Sequence, residues 1–367
     1  MSSSDKEPVA PFRPEDTDDR FPTHWKSGSL KYGDFTDLAK GGTAILYAAV
    51  DKNLHRTVAF KTLHKDLRDS EIETCRFVRE ARVTANIQHP GTVPVYELGR
   101  DRGGNLFFSM KKVNGRDLRD ILADLKAEIP DVMDAFPLPR LVDILIQIGQ
   151  TVAYAHSVGV IHRDLKPANI QIGSFGEVVV LDWGLAKIVG EPQVELKEGL
   201  REVETIVDDL TLTPPGRRYG TPLYMSPEIA RGDPEIDGRS DVFSLGNMMF
   251  ELLTRQQLLS GETVDKVIDN LLKKPLRWPT NAAPELKIPR ELEAICVRAL
   301  RIEPEDRYQT VQEFVEDLQR YRHGEEVSVY NYSGLERINR WNNRNALTLT
   351  ALISGFTGFL LHWLFSR

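Results

Sequence analysis

The residues in this chain best suited to chemistry lie in one octapeptide, His162-Arg163-Asp164-Leu165-Lys166-Pro167-Ala168-Asn169. A carboxylate, an ammonium and a carboxamide fall within six positions of one another there. Eighteen residues beyond Asp164, just past a valine run that reads as a strand, stands Asp182-Trp183-Gly184. A carboxylate can take a proton from a hydroxyl. An ammonium offsets anionic charge, and carboxylate and carboxamide oxygens suit a hard cation. This is an inventory for handling a phosphate, a metal ion and a hydroxyl nucleophile together. Such groups act only when held in a fixed geometry, so the rest of the chain is read for the elements that hold them.

The chain has 367 residues, 28% charged and 41% hydrophobic, enough for one large two-lobed domain or two small ones. A net charge of -7 argues against a nucleic-acid binder, which would carry a concentrated basic face. Cys75 and Cys296 lie far apart, without metal-ligand spacing, and are expected as small buried hydrophobes. Residues 1–29 are rich in proline, serine and acidic side chains, with no signal peptide pattern, and are expected as a disordered tail. From 30 to 115 come short β-branched and aromatic runs, including 44–50, 57–62 and 106–110, which predict strands. Within them 71–87 predicts a helix, with Cys75, Val78, Arg82 and Ala85 at helical spacing. From 116 to 322 the pattern turns helical, over 118–125, 141–158, 240–253, 264–272, 291–300 and 311–322, interrupted by a polar stretch at 190–218.

The octapeptide resembles the catalytic loop of eukaryotic-like protein kinases, in the form used by bacterial Ser/Thr kinases. Further motifs follow in family order. Leu38-Ala39-Lys40-Gly41-Gly42-Thr43-Ala44-Ile45-Leu46-Tyr47 resembles the glycine-rich loop that covers nucleotide phosphates. It departs from the pattern at Ala39 and Ala44, where glycines are usual. Val58-Ala59-Phe60-Lys61 resembles the strand motif whose lysine holds the α- and β-phosphates, and Glu80 is its matching partner on the predicted helix. The resemblance makes Asp164 the group that orients the substrate hydroxyl and accepts its proton, and Lys166 the cation that offsets charge on the phosphoryl group. It makes Asn169 and Asp182 the ligands of Mg²⁺. ATP would lie against Leu38, Ala39, Gly41, Gly42, Leu46, Ala59, Lys61, Met110, Lys111, Val113 and Gln171. Gln171 is a second departure, standing where an apolar side chain usually lies under the adenine. Trp183 replaces the usual phenylalanine and is expected to pack beneath the helix carrying Glu80.

Gly220-Thr221-Pro222-Leu223-Tyr224-Met225-Ser226-Pro227-Glu228 resembles the substrate-docking loop and the motif that follows it, with Ser226 in place of alanine. Arg307 matches the buried partner of Glu228, and Asp241 the residue that braces the catalytic loop through its backbone. Arg163 matches the arginine that pairs with a phosphorylated residue of the activation segment. Thr205, Thr211 and Thr213 are the candidate acceptors, with Thr211 or Thr213 the expected autophosphorylation site, while Thr221 is assigned to contact Asp164 and Lys166. His89, His156 and His162 do not cluster as metal ligands.

The implied fold is α+β, a bilobal kinase with a β-rich N-lobe over 30–115 and a helical C-lobe over 116–322. The implied reaction is γ-phosphoryl transfer from ATP, with Mg²⁺, to protein Ser or Thr hydroxyls. A partner-binding pseudokinase is the rival reading, carried by Ala39, Ala44 and Gln171. Beyond a juxtamembrane linker at 323–345, residues 346–365 hold no Asp, Glu, Lys or Arg. As a helix they reach about 30 Å, the thickness of a bilayer core. A buried C-terminal helix is the bland alternative. A transmembrane helix is the reading preferred, with Arg337, Arg340 and Arg344 placing the kinase on the cytoplasmic side of a single-pass cell-membrane anchor. Thr350, Ser354 and Gly358 fall four apart, as at close helix contacts, and a homodimer through them is a further expectation.

Overall fold

The computed structural model describes residues 28–188, 222–337 and 340. Alternation sets the smaller lobe. Strands β1 (Tyr32–Lys40), β2 (Ala44–Asp51), β3 (Arg56–Leu63), β4 (Val95–Arg100) and β5 (Leu106–Lys111) form one antiparallel sheet in the order β1-β2-β3-β5-β4. With a side-chain period of two, Val58, Phe60 and Phe107 pack on the outer face with Tyr32 and Ala49. Leu63, Leu106 and Phe108 pack on the inner face with Phe77 and Ala81 of helix α1 (Glu71–Asn86). Each buried phenylalanine contributes about 1.5–3 kcal/mol. The same alternation sends Lys61, the neighbour of Phe60, to the inner face. Ser70 starts α1, its hydroxyl accepting the Glu73 N–H at 3.4 Å.

The larger lobe is helical. Helices α2 (Leu118–Lys126), α3 (Pro130–Ala135), α4 (Leu138–Ser157), α5 (Pro227–Arg231), α6 (Arg239–Thr254), α7 (Val264–Lys273), α8 (Pro279–Ala282), α9 (Arg290–Ala299) and α10 (Val311–Arg322) enclose one continuous core. Helix α4 packs on α10 and α6, and α6 on α9. Between the lobes lie short strands the periodicity does not announce. Strands β6 (Gly115–Asp117), β8 (Ile170–Gly173) and β9 (Val178–Val180) form a small sheet, and β7 (Val160–Ile161) pairs with β10 (Lys187–Ile188). The catalytic octapeptide runs from β7 to β8, and Asp182 follows β9. The strands thus fix both ends of the loop.

The two-lobed α+β expectation holds, and the predicted helices lie within a few residues of those observed. The tail expected over 1–29 falls outside the described residues except for 28 and 29, which open a 3-10 turn at Gly28–Lys31. The anchor expected at 346–365, with Thr350, Ser354 and Gly358, lies outside the described residues. Among the described residues no helix is long and apolar enough to cross a membrane. The described part of the expected 323–345 linker lies on the larger lobe. Val327 and Tyr332 enter its core. The Ser328 amide and hydroxyl donate to buried Asp317 at 2.8 and 2.7 Å, and Arg340 pairs with Glu291 at 2.5 Å. Both cysteines are free. Cys296 is buried, as expected, but Cys75 is only half-buried.

Candidate active site

The octapeptide is held by one carboxylate. Asp241, in the first turn of α6, is fully buried. Its Oδ2 accepts the His162 N–H at 2.8 Å and its Oδ1 accepts the Arg163 N–H at 2.9 Å. His156, at the end of α4, closes the arrangement with Nε2 at 2.8 Å from Asp241 Oδ2. Burial alone would raise the Asp241 pKa; the His156 hydrogen bond and the amides bring it below the usual carboxylate value. The brace matters because Arg163 sits at φ 66°. A side chain there costs about 1–3 kcal/mol and persists only when its surroundings over-determine it. Asp182 shows the same conformation, at φ 63°.

His162 turns its ring inward. Nδ1 accepts the Asp164 N–H at 3.2 Å and Nε2–H donates to the Leu181 carbonyl at 3.2 Å, which ties the octapeptide to the segment carrying Asp182. Trp183 lies against that imidazole, ring centres 4.5 Å apart, inside the core that also takes in Val83 of α1 and Ile87 just after it. Its indole Nε1 has no hydrogen-bond acceptor among the described residues.

Five charged groups then converge. Lys61 of β3 pairs with Glu80 of α1. The carboxylates of Glu80 and Asp182 hold the lysine above its ordinary pKa against the opposing effect of burial. Burial, with Asp182 nearby, pushes Glu80 up in spite of Lys61. A Cβ added at Gly184 would stand 3.2 Å from Asp182 Oδ1 and 3.6 Å from Glu80 Oε2, so a side chain there would crowd both carboxylates. Lys166 donates to Asp164 Oδ2 at 2.5 Å. Asn169 donates through Nδ2 to the Asp164 carbonyl at 2.9 Å, which leaves its Oδ1 as an oxygen ligand.

All of these but Lys166 line a cavity of about 500 Å³ between the lobes. Lys61, Glu80, Asp164, Asn169 and Asp182 line it, as do Ala39, Gly41, Gly42, Leu46 and Met110. Leu38, Ala59, Lys111, Val113 and Gln171 do not. Leu38 lies on β1 and is exposed, Ala59 is buried in β3 opposite Met110, and Lys111 and Val113 continue from β5. Gln171 is half-buried in β8, between Asp117 and Val179. The oxygen-only pair Asn169 and Asp182 fits Mg²⁺, which keeps several waters and takes few protein ligands.

Behind the octapeptide the polar packing is of two kinds. Arg307 makes a two-pronged pair with Glu228 at 2.8 and 2.7 Å, and Ser240 donates to the same carboxylate at 2.7 Å. By contrast Arg79 of α1, Arg163 and Lys187 of β10 form a group of cations. Burial, then Arg163 and Arg76, lowers Arg79 to about 10. Burial, then Arg163, lowers Lys187 in spite of Asp237 and Glu235, and its ammonium donates to the Ile236 carbonyl at 3.2 Å. Nε of Arg79 and of Arg163 has no acceptor among the described residues. The sequence pointed to Arg163 alone; Arg79 and Lys187 come from other elements, and His156 is tied in only through Asp241, 85 residues away. The candidate acceptors Thr205, Thr211 and Thr213, and Thr221 with them, lie outside the described residues.

Comparison with known proteins agrees with this geometry. Residues 32–318 match the protein kinase domain family. The chain belongs to that family. Its relatives include Serine/threonine-protein kinase PknD of Protochlamydia amoebophila, 36% identical over 293 residues, covering 78% of this chain and 29% of the relative. The protein of the same name from Chlamydia pneumoniae is 33% identical over 290 residues, covering 78% and 30%. That of Chlamydia muridarum is 35% identical over 297 residues, covering 78% and 31%. The chain thus spans about 30% of the length of these curated relatives.

Proposed function

We propose that this chain is a Ser/Thr protein kinase that transfers the γ-phosphoryl group of ATP, with Mg²⁺, to Ser or Thr hydroxyls of proteins. The observation that carries this is the single cavity in which the Lys61–Glu80 pair, Asp164 and the oxygen pair Asn169 and Asp182 meet. Asp164 takes the proton of the attacking hydroxyl as its oxygen bonds to the γ-phosphorus and the bond to the β–γ bridging oxygen breaks, releasing ADP. Lys166, already on Asp164, offsets charge on the group in transfer. Lys61, aimed by Glu80, holds the α- and β-phosphates. Asn169 and Asp182 would hold Mg²⁺, which supplies charge neutralisation on the phosphates. Positioning and charge stabilisation do most of the work in such a site.

Two further parts of the reading concern control and place. The cation group of Arg79, Arg163 and Lys187 suits a phosphorylated residue of the 190–218 stretch, with Thr211 or Thr213 the first candidates. Phosphorylation there would join α1, the catalytic loop and β10 through one anion. The uncharged run 346–365 would anchor the chain to the cell membrane with the kinase in the cytoplasm, where a homodimer would raise the local concentration for autophosphorylation in trans. Incubating the chain with Mg-ATP and mapping phosphorylated residues tests the activity and its regulation together. Label on Ser and Thr, including 211 or 213, supports the reading. Active chain unmodified at 190–218 sinks the regulatory part, and a chain without any transfer returns the pseudokinase reading. Removal of 346–367 should release the protein from a membrane fraction; an intact chain that is already soluble contradicts the anchor.

A further inference from the structure

We infer that His64 is a positioning residue for nucleotide binding, because its imidazole latches the Gly41 carbonyl outward and so turns the Gly42 N–H toward the phosphate side of the cleft. The inference rests on ATP being the ligand of that cleft.

His64 follows β3 directly, three residues after Lys61. Its backbone is fixed on both sides: its N–H donates to the Thr43 carbonyl at 2.9 Å, and its carbonyl accepts the Leu67 N–H at 3.0 Å. The ring Nε2 then lies 2.9 Å from the Gly41 carbonyl oxygen. That oxygen only accepts, so Nε2 carries the proton. The Gly41 N–H donates to the Ala44 carbonyl at 2.9 Å. The loop is thereby closed on itself and pinned from one side.

The two sides of the pin differ. Gly41, Gly42, Thr43 and Ala44 line the catalytic cavity, and His64 does not. His64 lines a separate groove, shared with Phe35, Tyr47 and Phe60. In a trans peptide the carbonyl and the following N–H point in opposite directions. A Gly41 carbonyl drawn toward His64 therefore leaves the Gly42 N–H aimed at the cavity. A flipped peptide would present a carbonyl oxygen to phosphate oxygens, which repel it. Glycine flips at low cost, so the residues that let a backbone approach phosphates are also the least able to hold their orientation. Ala39 and Ala44 stiffen the flanks, which concentrates the freedom at the 41–42 peptide that His64 holds.

The test uses the full chain with His64→Ala and His64→Gln, whose carboxamide can donate to the same oxygen. Amide hydrogen exchange at 41–44 is read without nucleotide, and affinities are read for Mg-ATP and for adenosine, which lacks phosphates. The account predicts faster exchange at 41–44 in His64→Ala, an ATP affinity lower by about tenfold, and an adenosine affinity within about twofold of the parent. His64→Gln should restore both exchange and ATP affinity. Unchanged exchange, unchanged ATP affinity, an equal loss of ATP and adenosine, or a Gln variant that behaves as Ala would each overturn it. A parent chain that binds no ATP would sink the reading of the cleft instead, and the exchange comparison would still decide the latch.

Discussion

Arg307 and Arg79 are both buried arginines behind the same catalytic loop, and they are satisfied to opposite degrees. All five N–H groups of Arg307 find acceptors. Two meet the Glu228 carboxylate, and the others meet the carbonyls of Arg301, Arg239 and Ile302 at 2.7, 2.8 and 2.8 Å. Arg79 instead faces Arg163, with Lys187 beyond, and its Nε has no acceptor among the described residues. The first site is complete as it stands and fixes the base of the docking loop. The second leaves guanidinium nitrogens of Arg79 and Arg163 without an acceptor among the described residues, and the proposed regulation has an anion complete it.

The same substitution at the two arginines should separate these roles. Arg307→Met keeps much of the side-chain volume but leaves Glu228 buried without its partner. Removing one member of a buried pair costs about 3–5 kcal/mol, and urea or thermal unfolding should show a loss of that size. Arg79→Met removes a cation from among cations. Its unfolding free energy should change by less than about 1 kcal/mol, in either direction. Under the proposed regulation, the gain in transfer rate on autophosphorylation should nevertheless be lost. A large destabilisation in Arg79→Met, or a phosphorylated variant as active as the phosphorylated parent, would dissolve the contrast.

The smallest effect is in the acid limb of stability. Burial would raise Glu228, but the Arg307 hydrogen bonds and charge outweigh it and hold its pKa below the ordinary carboxylate value. Asp241 is lowered as well. Carboxylates with a lower pKa in the folded state contribute fully above the unfolded value, roughly 4. That contribution is lost as pH falls through the folded values. Stability should therefore decline from about pH 5 downward, and less steeply in Arg307→Met, where Glu228 no longer has the guanidinium to hold it down. Equal acid slopes in parent and variant would show that this pair does not set the limb.

Much of this was legible in the chain. Helices such as 311–322 and 264–272 carry long apolar periods, and their observed bounds differ by no more than a residue. The catalytic groups sit in contiguous motifs, so Lys61, Glu80, Asp164, Asn169 and Asp182 could be named before the fold. The strands β6, β7, β8 and β10 could not, because two to four residues cannot show a period, whereas β9 showed as a valine run. Nor could His156, whose partner Asp241 is 85 residues away. Arg79 looked like an ordinary helix arginine beside Glu80, and only the meeting of α1 with the catalytic loop gives it a role. The 323–337 segment read as a linker because its core residues, Val327 and Tyr332, lie in an apolar run too short to show a helical period.

The central claim is that the catalytic loop is a working phosphoryl-transfer centre, and Asp164→Asn tests it most directly. In the proposed mechanism Asp164 serves the hydroxyl rather than the nucleotide, so the variant should bind Mg-ATP as the parent does. Its transfer to Ser or Thr hydroxyls should fall by a factor of about 10² to 10⁴. Parent and variant with equal label after incubation with Mg-ATP would contradict the account.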